Sequence, residues 1–230
     1  MTRLRTATLI ATAAAAAISV SSARPSSAVP TATSVVAQAR GTAVAVYRFP
    51  GAKRPFITLR NPNSDGGKLV FLVAQRLQGW ERVRLPIRPD GTTGWVRDRS
   101  VALSFDPYRV VVSLASRTVK VWNGARLIHT ERAAVGRSVL PTPSGIYYIV
   151  ELLKQPDPSG PYGPYAFGLS AFSNVLYHFG AGAGEIGLHG TDQPALLGTD
   201  VSHGCIRISN AAIVRLARIL PLGTPVTIAR

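Results

Sequence analysis

One cysteine, Cys205, stands in the whole chain of 230 residues. A lone thiol closes no internal disulfide and forms no Cys-x-x-Cys pair. Acids are scarce, with 11 Asp and Glu against 26 Lys and Arg, a formal net charge of +15. The basic excess is dispersed and contains no block of five or six, which argues against a nucleic-acid partner. Beyond the first thirty residues, no apolar run approaches the ~18 residues of a membrane-crossing helix. No His-Glu-x-x-His pattern occurs, so a zinc reading rests on His189, His203 and Cys205 alone. With hydrophobic residues at 46%, the composition excludes a disordered chain and leaves room for one or two small domains.

The first residues read as a secretory leader. Arg3 and Arg5 precede an apolar run from Ala7 to Val20, and small residues at Ser21–Ala23 and Ser26–Ala28 suit cleavage. The expectation is a leader over 1–28, a linker over 29–40 and no integral membrane segment after cleavage. Export sharpens the status of Cys205, since an unpaired thiol in an oxidising compartment is a liability unless it is used.

The remainder predicts a mainly β protein in two domains, 41–104 and 107–230. Ala43–Tyr47, Pro55–Leu59, Lys68–Gln75, Trp80–Leu85 and Thr93–Val96 are short strand patterns separated by Pro/Gly/Asn turns, which suggests a small barrel. Further strands are expected at 109–113, 118–122, 126–135, 146–150, 174–179, 185–189 and 225–229. Ser209 and Asn210 are N-cap candidates for a helix whose apolar stripe is Ile213, Leu216, Ala217 and Leu220. Residues 151–170 are rich in Pro and Gly. They predict a lid that brings Tyr162 and Tyr165 to substrate, or an ordinary surface loop.

The chemistry concentrates between Ile186 and Asn210. A thiol is mostly protonated near neutral pH, and a histidine is the natural base to activate it. His189 arrives on its own strand, as expected for a nucleophile and base assembled by the fold. His203 is only two residues from Cys205 and is read as shaping the turn. Gly204 lets the backbone bend ahead of the nucleophile. A helix starting soon after Cys205 would point free N–H groups at the thiol.

At these residues, His189-Gly190-Thr191 followed sixteen positions after the histidine by Cys205, within Ser202-His203-Gly204-Cys205-Ile206-Arg207 and with Asn210 beyond, the chain resembles the L,D-transpeptidase catalytic domain. Gly79–Pro86 and Gly94-Trp95-Val96 resemble bacterial Src-homology-3-like domains, over about 42–103. The first resemblance implies a β-sandwich-like fold and acyl transfer on peptidoglycan stem peptides, donor and acceptor. Cys205 would form a thioester, His189 would be base and acid, and Gly190 would orient it through its carbonyl. Gly204 and Cys205 would supply oxyanion N–H groups, while His203, Ser202, Arg207 and Asn210 shape the site or bind substrate. Three-to-three cross-links are the implied product. Water as acceptor would give an L,D-carboxypeptidase, and a non-catalytic wall-binding protein is the remaining alternative. No cofactor or metal is implied. The dispersed positive charge suits an anionic wall polymer, and the implied location is the bacterial cell envelope or the exterior.

Overall fold

A computed structural model describes residues 33–63, 66–178 and 182–230. The expected leader over 1–28 lies outside the described residues, as does Phe179. No helix among the described residues is long and apolar enough to cross a membrane.

The first unit contains β1 (Ser34–Ala39), β2 (Ala43–Val46), β3 (Ile57–Arg60), β4 (Val70–Leu77), β5 (Trp80–Arg84), β6 (Thr93–Arg97) and β7 (Val101–Asp106). Five of these form a sheet in the order β6-β5-β4-β1-β7, and β2 and β3 form a separate hairpin. Tyr47 and Trp95 exchange both backbone hydrogen bonds at 2.8 Å and tie that hairpin to β6. Alternation along each strand buries Val44, Val46, Phe71, Val83 and Val96 in one core. Trp95 is buried, whereas Trp80 stays half-exposed between the Tyr47 ring and the Arg97 guanidinium. The segment expected as linker is corrected here: Ser34–Ala39 is a paired strand between β4 and β7.

The second unit contains β8 (Tyr108–Ser113), β9 (Thr118–Asn123), β10 (Arg126–Arg132), β11 (Val135–Gly136), β12 (Gly145–Lys154), β13 (Tyr165–Phe172), β14 (Glu185–His189), β15 (Asp200–Ser202), β16 (Ile206–Arg207), α1 (Asn210–Ala217) and β17 (Pro225–Ala229). An eight-stranded sheet runs β10-β9-β8-β17-β12-β13-β14-β16. It curls around one core, so that Val110 of β8 and Ile206 of β16 belong to the same apolar cluster. Helix α1 begins where expected. Ser209 Oγ accepts the Ala212 N–H at 3.2 Å, and Ile213 and Leu216 are buried. It starts after β16 rather than directly after Cys205.

Two further expectations change. The Pro/Gly segment is irregular only between β12 and β13, and its flanks are long strands. The expected strand from Asn174 is absent among the described residues, because Ser173 Oγ accepts the N–H groups of Val175 (3.2 Å) and Leu176 (2.9 Å) and turns the chain. His178 therefore lies on an exposed loop.

The two units share a buried seam. Val36, Val70 and Leu72 pack on the fully buried Tyr148, whose hydroxyl donates to the Arg84 carbonyl at 3.2 Å. Asp106 accepts Thr224 Oγ1 at 2.6 Å and the Tyr108 N–H at 2.8 Å. From the β5–β6 loop, Arg88 donates to the carbonyls of Ser173 (2.8 Å), Leu176 (3.2 Å) and Ala183 (3.0 Å). Its guanidinium also lies over the rings of Phe172 and Tyr177.

Candidate active site

Strand β14 carries His189 at its C-terminal end and pairs with β13 on one side and β16 on the other. Cys205 immediately precedes β16. The fold thus sets the end of one strand beside the start of its parallel neighbour, with histidine and cysteine on adjacent strands.

The turn that presents Cys205 is braced from within. Gly204 has φ +120°, a conformation that side chains rarely adopt, and a Cβ there would meet Ile186 Cδ1 at 3.0 Å. Ser202 Oγ donates to the Cys205 carbonyl at 2.5 Å and accepts the Gly204 N–H at 3.1 Å. Thr142 Oγ1 donates to the Gly204 carbonyl at 2.7 Å and accepts the Gly136 N–H at 2.8 Å. Two expectations are corrected by this network. Ser202 is buried and fastens the turn instead of meeting substrate. The Gly204 N–H is already bonded, so it is not free to hold an oxyanion, whereas the Cys205 N–H has no partner among the described residues. Thr142 was not singled out from the sequence. Its only local signal is its place in the Pro-Thr-Pro turn.

His189 is 3% exposed, and its Nδ1 lies 2.6 Å from the carbonyl oxygen of Gly190. A carbonyl only accepts, so in the neutral ring Nδ1 carries the proton and Nε2 keeps its lone pair. Cys205 Sγ accepts the Gly187 N–H at 3.3 Å. A Cβ on Gly187 would lie 3.6 Å from His189 Cδ2 and 3.8 Å from Cys205 Sγ, so the ring edge next to Nε2 and the sulfur border one small space. Burial dominates both titrations. It pushes the Cys205 thiol up, against the weaker pull of the Gly187 N–H and of Arg207. It lowers His189 to about 4, outweighing the Gly190 bond, and Arg207 adds to the decrease. Both shifts favour the uncharged forms, a thiol and a neutral imidazole, over an ion pair.

Both residues line a pocket of about 240 Å³ that also includes Tyr162, Gln155, Glu151, Glu185, Gly168 and Gly187. The Tyr162 ring lies 4.8 Å from the His189 ring, centroid to centroid, at 57°. Tyr162 therefore stands at the site, as the lid alternative requires. Tyr165 does not: it is on β13, packed against the main core, and its backbone carbonyl accepts the Gly190 N–H. Asn210 also departs from expectation. Its Oδ1 accepts the Thr191 N–H at 2.7 Å and abuts Gly163 and Gly190, so it joins α1 to the His189 strand end and the tyrosine loop without reaching the pocket. His203 is exposed and outside the pocket lining. Arg207 pairs with His189 in register, and its buried Nε has no hydrogen-bond partner among the described residues. Among the described residues no three His, Cys, Asp or Glu side chains converge as metal ligands would.

A half-buried thiol and a carbonyl-oriented imidazole border one pocket at the edge of a curled β-sheet, the pairing of a nucleophile with a base. The model of the YkuD L,D-transpeptidase catalytic domain matches residues 107–228, and the chain belongs to that family. The L,D-transpeptidase-family protein YkuD of Bacillus licheniformis is 41% identical over 122 residues, covering 53% of this chain and 66% of its own. Its namesake in Bacillus subtilis is 39% identical over 124 residues, covering 54% of this chain and 67% of its own. Among solved structures, an L,D-transpeptidase from Mycobacterium smegmatis aligns over 68% of this chain and 80% of its own, with a TM-score of 0.47 and 16% identity. The family match begins at the second unit and leaves β1–β7 outside it.

Proposed function

We propose that the protein is a cysteine-dependent L,D-transpeptidase of exported peptidoglycan, acting on tetrapeptide stems in the cell envelope. The observation that carries this reading is the placement of Cys205 and His189 in one pocket, with Nδ1 of the imidazole committed to the Gly190 carbonyl. As sulfur attacks the carbonyl of the third stem residue, His189 Nε2 takes the thiol proton. The developing oxyanion falls to the Cys205 N–H. Collapse breaks the peptide bond, and imidazolium returns the proton to the leaving amine of D-alanine, leaving a thioester on Cys205. An amine of a second stem then attacks the thioester, giving up a proton through His189 as the thiol reforms, and a three-to-three cross-link results. Water in that step gives carboxypeptidase activity instead. Arg207, with its unpartnered Nε, suits a substrate carboxylate. The first unit is read as a Src-homology-3-like wall-binding module, which its five-stranded sheet with the β2–β3 hairpin bridged to β6 and the half-exposed Trp80 support.

Incubation with a disaccharide-tetrapeptide followed by mass analysis tests the reading. Loss of D-alanine with a dimer is the expected result, loss of D-alanine alone makes the enzyme a hydrolase, and Cys205→Ala abolishes both. An unchanged substrate with the wild-type protein overturns the proposal.

A further inference from the structure

The floor of the catalytic pocket has an unusual composition. Three adjacent strands place Glu151 of β12, Gly168 of β13 and Gly187 of β14 in one cross-strand row, since Glu151 pairs with Gly168 and Gly168 with Gly187. The row ends at Cys205, whose sulfur accepts the Gly187 N–H. Neither glycine has a positive φ, so backbone strain does not account for them. Space does. A Cβ on Gly168 would run into Glu151, meeting Cγ at 2.6 Å and Cδ at 2.9 Å, and a Cβ on Gly187 would sit between sulfur and imidazole. The two bare positions form a trough with the nucleophile at one end and a carboxylate lying across the other. Strands are about 4.8 Å apart, which puts that carboxylate roughly 5–10 Å from the sulfur. This is within reach of an extended four-carbon side chain such as that of lysine.

The sign of charge is the second observation. The chain carries +15 overall, yet the described residues lining this pocket include Glu151 and Glu185 and no Lys or Arg. Arg207 acts on the sulfur from β16, on the far side of β14 from Glu151. The site is therefore polarised along the row, positive beyond the thiol and negative across the trough. In a molecule so rich in arginine, a pocket lined by two carboxylates and no basic side chain runs against the overall charge.

Resting on the transpeptidase reading, we infer that Glu151 is a specificity-determining residue that binds a primary ammonium group of a stem peptide lying along the Gly168–Gly187 trough. Such an ammonium belongs either to the diamino-acid side chain of the donor, next to the carbonyl under attack, or to the incoming acceptor. Glu185, exposed at the rim, adds to the same attraction.

The test uses the full chain and two synthetic tetrapeptide stems, one with a free amine on its third side chain and one acetylated at that amine. A separate free-amine tripeptide serves as acceptor. For a donor ammonium, wild-type enzyme releases D-alanine from the free-amine stem with kcat/KM at least about tenfold above the acetylated stem, the scale of one charge-assisted hydrogen bond. Glu151→Gln then brings the ratio of kcat/KM between the two stems close to one, with the change falling on KM for the free-amine stem. For an acceptor ammonium, the two stems are used equally, and Glu151→Gln raises about tenfold the tripeptide concentration needed for dimer formation, measured relative to that variant's own D-alanine release. The wild-type comparison needs no variant to fold, and Glu151→Asp is expected to retain part of the preference. Equal use of both stems together with an acceptor requirement unmoved by Glu151→Gln overturns the inference while leaving the transpeptidase reading intact. No D-alanine from either stem removes that reading and the inference with it.

Discussion

At Cys205 and His189 burial acts on both partners, raising the thiol and depressing the imidazole. Both shifts favour keeping the proton on sulfur in the resting site. Iodoacetamide labelling of Cys205 should rise with pH to a midpoint above the roughly 8.5 of a free cysteine. His189→Ala should barely move that midpoint while abolishing turnover; a large downward shift in wild type relative to the variant would instead reveal a resting ion pair. The imidazole also leaves a mark on stability. Between its ordinary pKa near 6.5 and its folded value of about 4, the unfolded chain binds the extra proton, so acid favours unfolding in that window. Relative to His189→Asn, wild type should lose about 2–3 kcal/mol between pH 7 and pH 4 in urea unfolding. Asp90 and Asp106, raised mainly by burial, contribute with the opposite sign, and the paired comparison cancels them. The roles of Ser202, Thr142 and Asn210 emerge only in three dimensions. Each hydroxyl or amide is an ordinary polar residue in sequence, and what it fastens depends on a partner turn.

Strand β14 shows how an element can be read for its residues and missed for its neighbours. Its alternation and terminal histidine are plain in Glu185–His189, and the Ser209 cap with its apolar stripe identifies α1 equally well. β1 was hidden because Ser-Val-Val-Ala-Gln-Ala is short and mild, and its strand state comes from β4 and β7 on either side. The opposite error occurred at Asn174, where an apolar run suggested a strand but Ser173 and Arg88 claim its backbone. The glycine at 187 gives a test at this level. An added Cβ makes only ordinary contacts at 3.5–3.8 Å, so Gly187→Ala should fold with stability within about 1 kcal/mol of wild type. It should nevertheless lose on the order of a hundredfold in kcat/KM, because the methyl occupies the space bordered by sulfur and imidazole. Parallel melting curves and D-alanine release measure the two effects.

Across the whole molecule, the unit outside the family match holds part of the active unit in place. Arg88 gathers carbonyls from the segment leading into β14, and Gly184 and Glu185 of that segment border the catalytic pocket. Arg88→Ala removes bonds from a charged donor to three carbonyls and should cost about 2–4 kcal/mol. Faster amide exchange should appear at described positions of 173–184, together with a higher KM. Exchange confined to the first unit would contradict this coupling. Turn spacing and the proline at 107 mark a boundary in the sequence, but the seam was not legible there, because its contacts join residues up to 118 positions apart.

The position of β17 also decides what holds the catalytic sheet together. The last strand lies in the middle of the catalytic sheet, parallel to β8 and antiparallel to β12. Until Pro225–Ala229 are available, β8–β10 and β12–β14 are two separate half-sheets, each with an open edge. Strand β17 is therefore the single link through which the half carrying His189 and Cys205 and the half carrying β8–β10 become one sheet.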